Sequence, residues 1–412
     1  MADQSALPDA MLALLTGPDV DELLAAALAP AGARLEQWTV RDVDHRPGRR
    51  TTVSYAVHVA WPGGVRAETF AATVTPGGTP AQEASTDRLV VTDGDHEIEV
   101  WRFPFDAELP ALAAMCFEDS AIQTLRSLGI DAAGAHVDVL SYRPRKRAVI
   151  RVSRPGATWY VKVLRPAVGA EMRRRHELLT DAGLPVPVCL AARDDGLLVL
   201  SEVPGTPLGS ALTVTGAAAC DPMDLISMLD RLPAELLALP RRRPWAEYAQ
   251  HYAGVIASTL PSEAARVHDV AAEIDVALSA YAGGTVEPTH GDFYEAQLMV
   301  DDGRITGLLD VDTAGPGRRV DDLACMLAHL SLLTILETGA ARGAREALEW
   351  WTPVFDRRVD PRELRVRTAG VIVSLATGAF RSQEAGWERS TSDRLTLARL
   401  WLDAAGGLRI PV

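Results

Sequence analysis

His290-Gly291-Asp292 opens the stretch of the chain richest in groups able to do chemistry, and Gln297 and Asp310 follow it at short range. Leu298 to Val300 and Ile305 to Leu309 are short apolar runs around Asp302-Gly303, a dipeptide that favours a tight hairpin turn. With that dipeptide at the tip, Asp301 faces Arg304 and the register sets Gln297 opposite Leu308. Asp310 then lies two residues along the partner strand, on the order of 7 Å away. The hairpin returns a carboxylate to the neighbourhood of a side-chain amide oxygen, and the loop before it carries Asp292. Phosphoryl transfer needs these parts: oxygen ligands for a Mg²⁺ ion that bridges phosphates, and an acceptor for the proton of the attacking hydroxyl. In that chemistry Asp292 is the base, and Gln297 and Asp310 hold the metal. Polar hairpin ends are more often structural; the preceding His-Gly and the Asp-rich stretch that follows favour the functional reading.

The run His290-Gly-Asp-Phe-Tyr-Glu-Ala-Gln297 resembles the catalytic loop H-x-D-x-x-x-x-N of the aminoglycoside phosphotransferase and choline-kinase-like family. In that family a strand pair follows, then an Asp at the place the protein kinases fill with D-F-G. Leu309-Asp-Val-Asp-Thr-Ala-Gly-Pro-Gly-Arg-Arg-Val-Asp-Asp-Leu-Ala324 is similar, without a gap, to the family's I-D-W-x-x-A-G-x-G-D-P-x-x-D-L-A. The resemblance implies a small-molecule kinase of α+β class: a protein-kinase-like bilobal fold with a β-rich N-lobe and a mainly helical C-lobe, the active site between them. It implies ATP or GTP as phosphoryl donor, Mg²⁺ as cofactor, and a small-molecule hydroxyl as acceptor. Asp322 becomes a helix-start residue serving free N–H groups and the dipole, and His290 braces the loop. Two departures stand out: the family's Asn is Gln297, and its Asp-Pro is Arg318-Arg319. Glutamine at that position is similar to the maltokinase branch and its glucosamine-kinase relatives, which place a cap domain ahead of the kinase.

Other kinase parts follow upstream. Tyr160-Val-Lys162-Val fits a third strand whose lysine reaches the α/β-phosphates, and the helix after it could supply a carboxylate partner. Glu171 and Glu177 both qualify, on different helix faces; Glu171 is preferred. Pro144-Arg-Lys-Arg147 stands at a strand–strand tip where protein kinases carry a Gly-rich cover, so its basic side chains either meet phosphate or are a solvated turn. Leu200-Ser-Glu-Val203 resembles the family's hinge, whose backbone at Ser201 and Val203 would face the adenine. Asp312 is the nearest alternative metal ligand. Arg381, Gln383 and Trp387 offer a stacking face and a hydrogen-bonding fork for an acceptor, with ordinary C-lobe packing the more frequent role of such residues. A sugar kinase is one alternative to an aminoglycoside-like acceptor, and a nucleotide-binding pseudokinase without turnover is another.

The elements that must position these groups are legible as patterns. Residues 1–105 read as an N-terminal α/β cap: two short helices over 9–33, then a three-stranded meander, Trp38-Thr-Val40, Thr51–Val59 and Ala67–Val74. Residues 106–129 read as a helical connector, 130–204 as the N-lobe and 205–412 as the C-lobe. The meander returns over 136–164 as a degenerate repeat, and aligning Pro76 with Pro166 sets Ala72 opposite Lys162.

Of 412 residues, 48% are apolar and 23% charged, which fits a folded chain of two or three domains. The four cysteines, Cys116, Cys189, Cys220 and Cys325, form no CxxC or Cys/His cluster, so neither a zinc site nor a disulfide framework is expected. A formal charge of −14 disfavours nucleic acid and anionic membrane as partners. The first residues carry no signal-peptide pattern, and Leu323–Leu336, broken by His329, Ser331 and Thr334, is too short to span a bilayer. A cytoplasmic protein is expected, with that stretch a buried helix.

Overall fold

The computed structural model describes residues 9–77, 83–336 and 339–407; residues 1–8, on which the expected lack of an export signal mostly rests, lie outside the described residues. Contacts divide the chain into two units: Met1–Ala170 with Leu190–Leu200 and Ala379–Trp387, and Glu171–Cys189 with Ser201–Gly378 and Glu388–Val412. The expected cap falls in the first, and the expected N-lobe over 130–204 is divided, with residues 171–189 and 201–204 in the second.

In the first unit, α1 (Ala10–Thr16) and α2 (Val20–Leu28) lead into β1 (Arg34–Arg46), β2 (Arg50–Trp61), β3 (Gly64–Pro76), β4 (Glu83–Ala84), β5 (Arg88–Asp93) and β6 (His96–Arg102). These strands form one antiparallel sheet in the order β1-β2-β3-β6-β5-β4. The helical period buries Leu12, Leu15, Val20 and Leu24 against alternate strand residues Val53, Tyr55, Val57 and Val59, so period 3.6 meets period 2 across one core. Tyr55 is buried there and donates its hydroxyl proton to the Leu15 carbonyl at 2.8 Å.

The helices α3 (Leu112–Met115) and α4 (Glu118–Ser127) precede β7 (His136–Arg143), β8 (Arg147–Arg154) and β9 (Ala157–Leu164). After α5 (Pro166–Asp181) come β10 (Cys189–Ala192) and β11 (Leu197–Ser201), which complete a five-stranded sheet in the order β10-β11-β9-β8-β7. Its apolar face packs on Leu112, Met115, Ala121 and Leu125 of α3 and α4.

The two meanders share a ladder as well as a pattern. Arg46 pairs with Arg50 at one tip and Arg143 with Arg147 at the other, and each first strand carries a bulge. Thr52 pairs with Thr73, and Val149, its counterpart counted from the tip, pairs with Lys162. Lys162 therefore corresponds to Thr73, one residue from the Ala72 that proline alignment selects, because the stretch joining Lys162 to Pro166 is one residue longer.

The second unit begins its ordered C-terminal part with β12 (Thr206–Pro207), α6 (Leu208–Thr215), α7 (Pro222–Asp230), α8 (Ala249–Thr259) and α9 (Ala264–Ser279). Then come β13 (Glu287–Thr289), β14 (Leu298–Asp301), β15 (Arg304–Leu308) and β16 (Gly315–Gly317), followed by α10 (Arg319–Ile335), α11 (Ala341–Phe355), α12 (Pro361–Arg381) and α13 (Trp387–Gly407). α10 runs through the core of this unit, with Leu323, Ala324, Met326, Leu327 and Leu330 fully buried. Among the described residues, no helix is long and apolar enough to cross a membrane.

The acceptor-wall candidates turn out to belong to the first unit. Gln383 and Gly386 take positive φ, which ends α12 and starts α13 after a tight turn. Phe380 packs on the cap core, Trp387 lies edge-on to it at 4.9 Å, and Arg381 donates to Asp42 of β1 at 3.1 Å.

Candidate active site

The hairpin of β14 and β15 turns on Asp302 (φ 47°) and Gly303 (φ 74°), and Asp301 pairs with Arg304 as the turn chemistry dictates. The register then slips. Met299 pairs with Gly307 but Val300 with Ile305, so Thr306 is an extra residue, its hydroxyl drawn out to the Pro204 carbonyl at 2.8 Å. Leu298, not Gln297, therefore opposes Leu308, and the Gln297 carbonyl accepts from the Leu309 N–H at 2.7 Å. Asp310 is one residue beyond that bond and takes the left-handed conformation (φ 49°, ψ 51°), which Asp tolerates better than most residues.

The loop before the hairpin is held by α10, one helical turn at a time. Asp322, fully buried, accepts from the backbone N–H groups of His290 (3.0 Å) and Gly291 (2.7 Å). It serves the loop rather than its own helix; the cap of α10 is made by Asp321, whose carboxylate accepts from the Arg318 N–H at 3.2 Å. Burial pushes the Asp322 carboxyl up to about 7, opposed by Arg319 and the two N–H donors. Cys325, one turn on, points its thiol at Asp292, Sγ to Oδ1 3.8 Å. His329, a further turn on, stacks on the Tyr294 ring with centroids 3.8 Å apart. Residues 322, 325 and 329 thus form one stripe facing residues 290 to 294.

His290 braces the loop in a defined tautomer. Its Nδ1 accepts from the Asp292 N–H at 3.4 Å, leaving Nε2–H to donate to the Leu309 carbonyl at 2.9 Å. Burial lowers its pKa, so the imidazole stays neutral and ties Asp292 to the strand that delivers Asp310. Thr313 adds a bond from its hydroxyl to the His290 carbonyl at 2.8 Å.

Gln297 is buried and donates its side-chain N–H to the Tyr294 hydroxyl at 2.8 Å, which turns its amide oxygen the other way. Asp292 and Asp310 are half-buried, and Asp312 is buried beside them in sequence. Hard oxygen donors of this kind suit Mg²⁺.

The remaining predicted residues fall as follows. Lys162 is buried on β9, paired with Val149. Glu171 lies on α5, 2.5 Å from the Arg175 guanidinium, whose Nε donates to the Ala314 carbonyl at 2.7 Å. Glu177 pairs instead with Arg173 at 3.5 Å. The Ser201 N–H is engaged by the Val188 carbonyl and its hydroxyl accepts from the Val188 N–H, both at 2.9 Å, so of its main-chain groups only the carbonyl could face a base. Val203 lies against Gly307, where a Cβ would come within 2.2 Å of its Cγ1. The Arg318-Arg319 departure is structural: Arg318 forks onto Glu363, and Arg319 donates to the Leu229 carbonyl at 2.9 Å.

Residues 132–354, more than half of the chain, match the phosphotransferase enzyme family. The chain belongs to that family. It is a phosphotransferase, of mixed α+β architecture. Among curated proteins none matches. Solved structures similar to it include a macrolide 2'-phosphotransferase from Brachybacterium faecium, at 17% identity over 68% of this chain and 97% of that one, TM-score 0.42. A choline/ethanolamine kinase family protein from Mesorhizobium loti shares 16% identity over 69% of this chain and 94% of its own, TM-score 0.49. A GDP complex of an aminoglycoside 2'-phosphotransferase shares 15% over 68% and 98%, TM-score 0.46.

Tyr294, Asp322, Cys325 and His329 line the candidate site, and the sequence reading gave none of the four a role in it. The signal of the last three was a polar stripe at i, i+3 and i+7 inside an otherwise apolar helix.

Proposed function

We propose that this phosphotransferase moves the γ-phosphate of ATP or GTP to a hydroxyl of an aminoglycoside-like or sugar acceptor. Asp292 accepts the hydroxyl proton; its backbone N–H is held by a neutral His290 and its loop by Asp322, which positions the carboxylate. Gln297 and Asp310 are the Mg²⁺ ligands, with Asp312 next in reach. Held there, Mg²⁺ would supply positive charge that offsets the charge developing on the phosphates. Lys162 takes the phosphates with Glu171 as its carboxylate partner, and the Ser201 carbonyl and the Val203 backbone face the base. The acceleration comes from positioning and charge stabilisation.

The observation that carries this reading is the bond from the Leu309 N–H to the Gln297 carbonyl at 2.7 Å, which seats the amide and Asp310 at the same end of one hairpin. That Arg318 and Arg319 are engaged by structural partners supports turnover over a pseudokinase. Nucleotide consumption measured against aminoglycosides, amino sugars and maltose tests it; acceptor-dependent turnover that requires Mg²⁺ is the expected result. Mg²⁺-nucleotide binding with no turnover on any acceptor, and no slow hydrolysis, would favour the pseudokinase.

A further inference from the structure

Asp292, Cys325 and His329 bring one carboxylate oxygen, one thiol sulfur and one imidazole nitrogen within 4.8 Å of one another. The thiol and the carboxylate oxygen are already 3.8 Å apart. A tetrahedral Zn²⁺ with Zn–S near 2.3 Å and Zn–O or Zn–N near 2.0 Å holds its ligand atoms about 3.5 Å from one another. Small side-chain rotations close the difference. Three protein ligands with a fourth position open is the form of an accessible zinc site rather than a closed structural one.

The ligands are in states that suit such an ion. Among the described residues neither ring nitrogen of His329 makes a hydrogen bond, and burial drives its pKa down to about 3, so the ring carries a free lone pair at any physiological pH. Burial raises the Cys325 thiol, which stays protonated in the metal-free protein. A thiophilic cation replaces that proton, forming the metal–sulfur bond and releasing H⁺ to solvent. Mg²⁺ has no affinity for thiolate, so the oxygen pair of Gln297 and Asp310 and this mixed set select different ions.

We propose that Asp292, Cys325 and His329 form a binding site for a thiophilic divalent cation of the Zn²⁺ class, and that its occupancy withdraws the Asp292 carboxylate from phosphoryl transfer. The second half rests on Asp292 acting as the base; the binding itself does not. Zn²⁺ then inhibits in excess Mg²⁺.

Zn²⁺ titration of the full-length protein against a chromophoric chelator, in excess Mg²⁺, tests the site. One tight equivalent is expected, weakened about tenfold or more in both Cys325→Ser and His329→Gln. Thermal melting without Zn²⁺ establishes that each variant folds; if Cys325→Ser does not, His329→Gln carries the same comparison. No tight equivalent, or one that neither folded variant weakens, overturns the site. In turnover assays the ratio of rates with and without Zn²⁺ is compared within each protein. Strong inhibition of wild type that is relieved in the variants supports the second half, and tight binding without inhibition overturns it alone. A protein that binds Zn²⁺ here but turns over nothing contradicts the phosphotransfer reading and leaves the site standing.

Discussion

The Tyr294 hydroxyl accepts the side-chain N–H of Gln297 at 2.8 Å, and the Tyr294 ring is itself fixed by stacking on His329 at 3.8 Å. The pair fits the Mg²⁺ role proposed for Gln297 where the family pattern has Asn: an amide with one more rotatable bond is anchored by its nitrogen, so its oxygen keeps one direction. Tyr294→Phe keeps the stack and removes the anchor. The Mg²⁺ concentration needed for half-maximal turnover should rise about tenfold, as for loss of an outer partner of a metal ligand. Gln297→Leu should be worse, because it removes the oxygen. An unchanged Mg²⁺ dependence in Gln297→Leu would mean that the residue is structural and that Asp310 works with another ligand, Asp312 being nearest.

Glu295, between these two residues, is 6% exposed, and its Oε2 has no hydrogen-bond partner among the described residues. Burial pushes its carboxyl up to about 7. The folded state therefore holds a proton that the unfolded chain gives up near pH 4.5, so stability falls as pH rises from there to about 7 and is flat above. Glu295→Gln abolishes that loss. Relative to wild type, its stability should improve between pH 5 and 8 by up to about 3 kcal/mol, read from denaturant melts at each pH. A difference independent of pH would place the charge in solvent.

At the tip between β7 and β8, Lys146 lies 2.9 Å from Asp44 of the cap. Burial lowers the lysine pKa against the pull of Asp44; burial also works to raise Asp44, and Lys146 with Arg46 and Arg50 overcomes it. Arg145 beside it bonds to Glu99 and Glu108, and its N–H donates to Asp106 at 2.7 Å, so cap and connector carboxylates hold this basic turn. A cap contact, rather than a phosphate cover, predicts that Lys146→Ala and Asp44→Ala each destabilise and are coupled by about 1 kcal/mol in a double-mutant cycle. Nucleotide affinity should change less than threefold, about 0.6 kcal/mol. A large loss of nucleotide affinity in Lys146→Ala alone would return the residue to the phosphates.

Much of the candidate-site hairpin was legible because its turn chemistry is local. Asp302-Gly303 dictates the turn, and the pairing of Asp301 with Arg304 follows from it. The register error came from Thr306, whose displacement depends on the Pro204 carbonyl, about a hundred residues away in sequence. Asp322 was misread for a similar reason: an acidic residue near a helix start satisfies N–H groups by default, and only the fold reveals that these belong to His290 and Gly291. The 379–387 segment read as C-lobe because it joins two long helices. Its attachment to β1 through Arg381 and Asp42 is a contact between chain ends that no local pattern encodes.

The central claim is that Asp292 takes the acceptor's proton, and Asp292→Asn tests it with the least disturbance, since the amide keeps shape and volume but cannot accept the proton. Turnover and nucleotide affinity are measured together on the same folded protein. The account predicts a fall in kcat of about a hundredfold or more, with nucleotide affinity within about threefold of wild type. A variant that retains most of its turnover would contradict it.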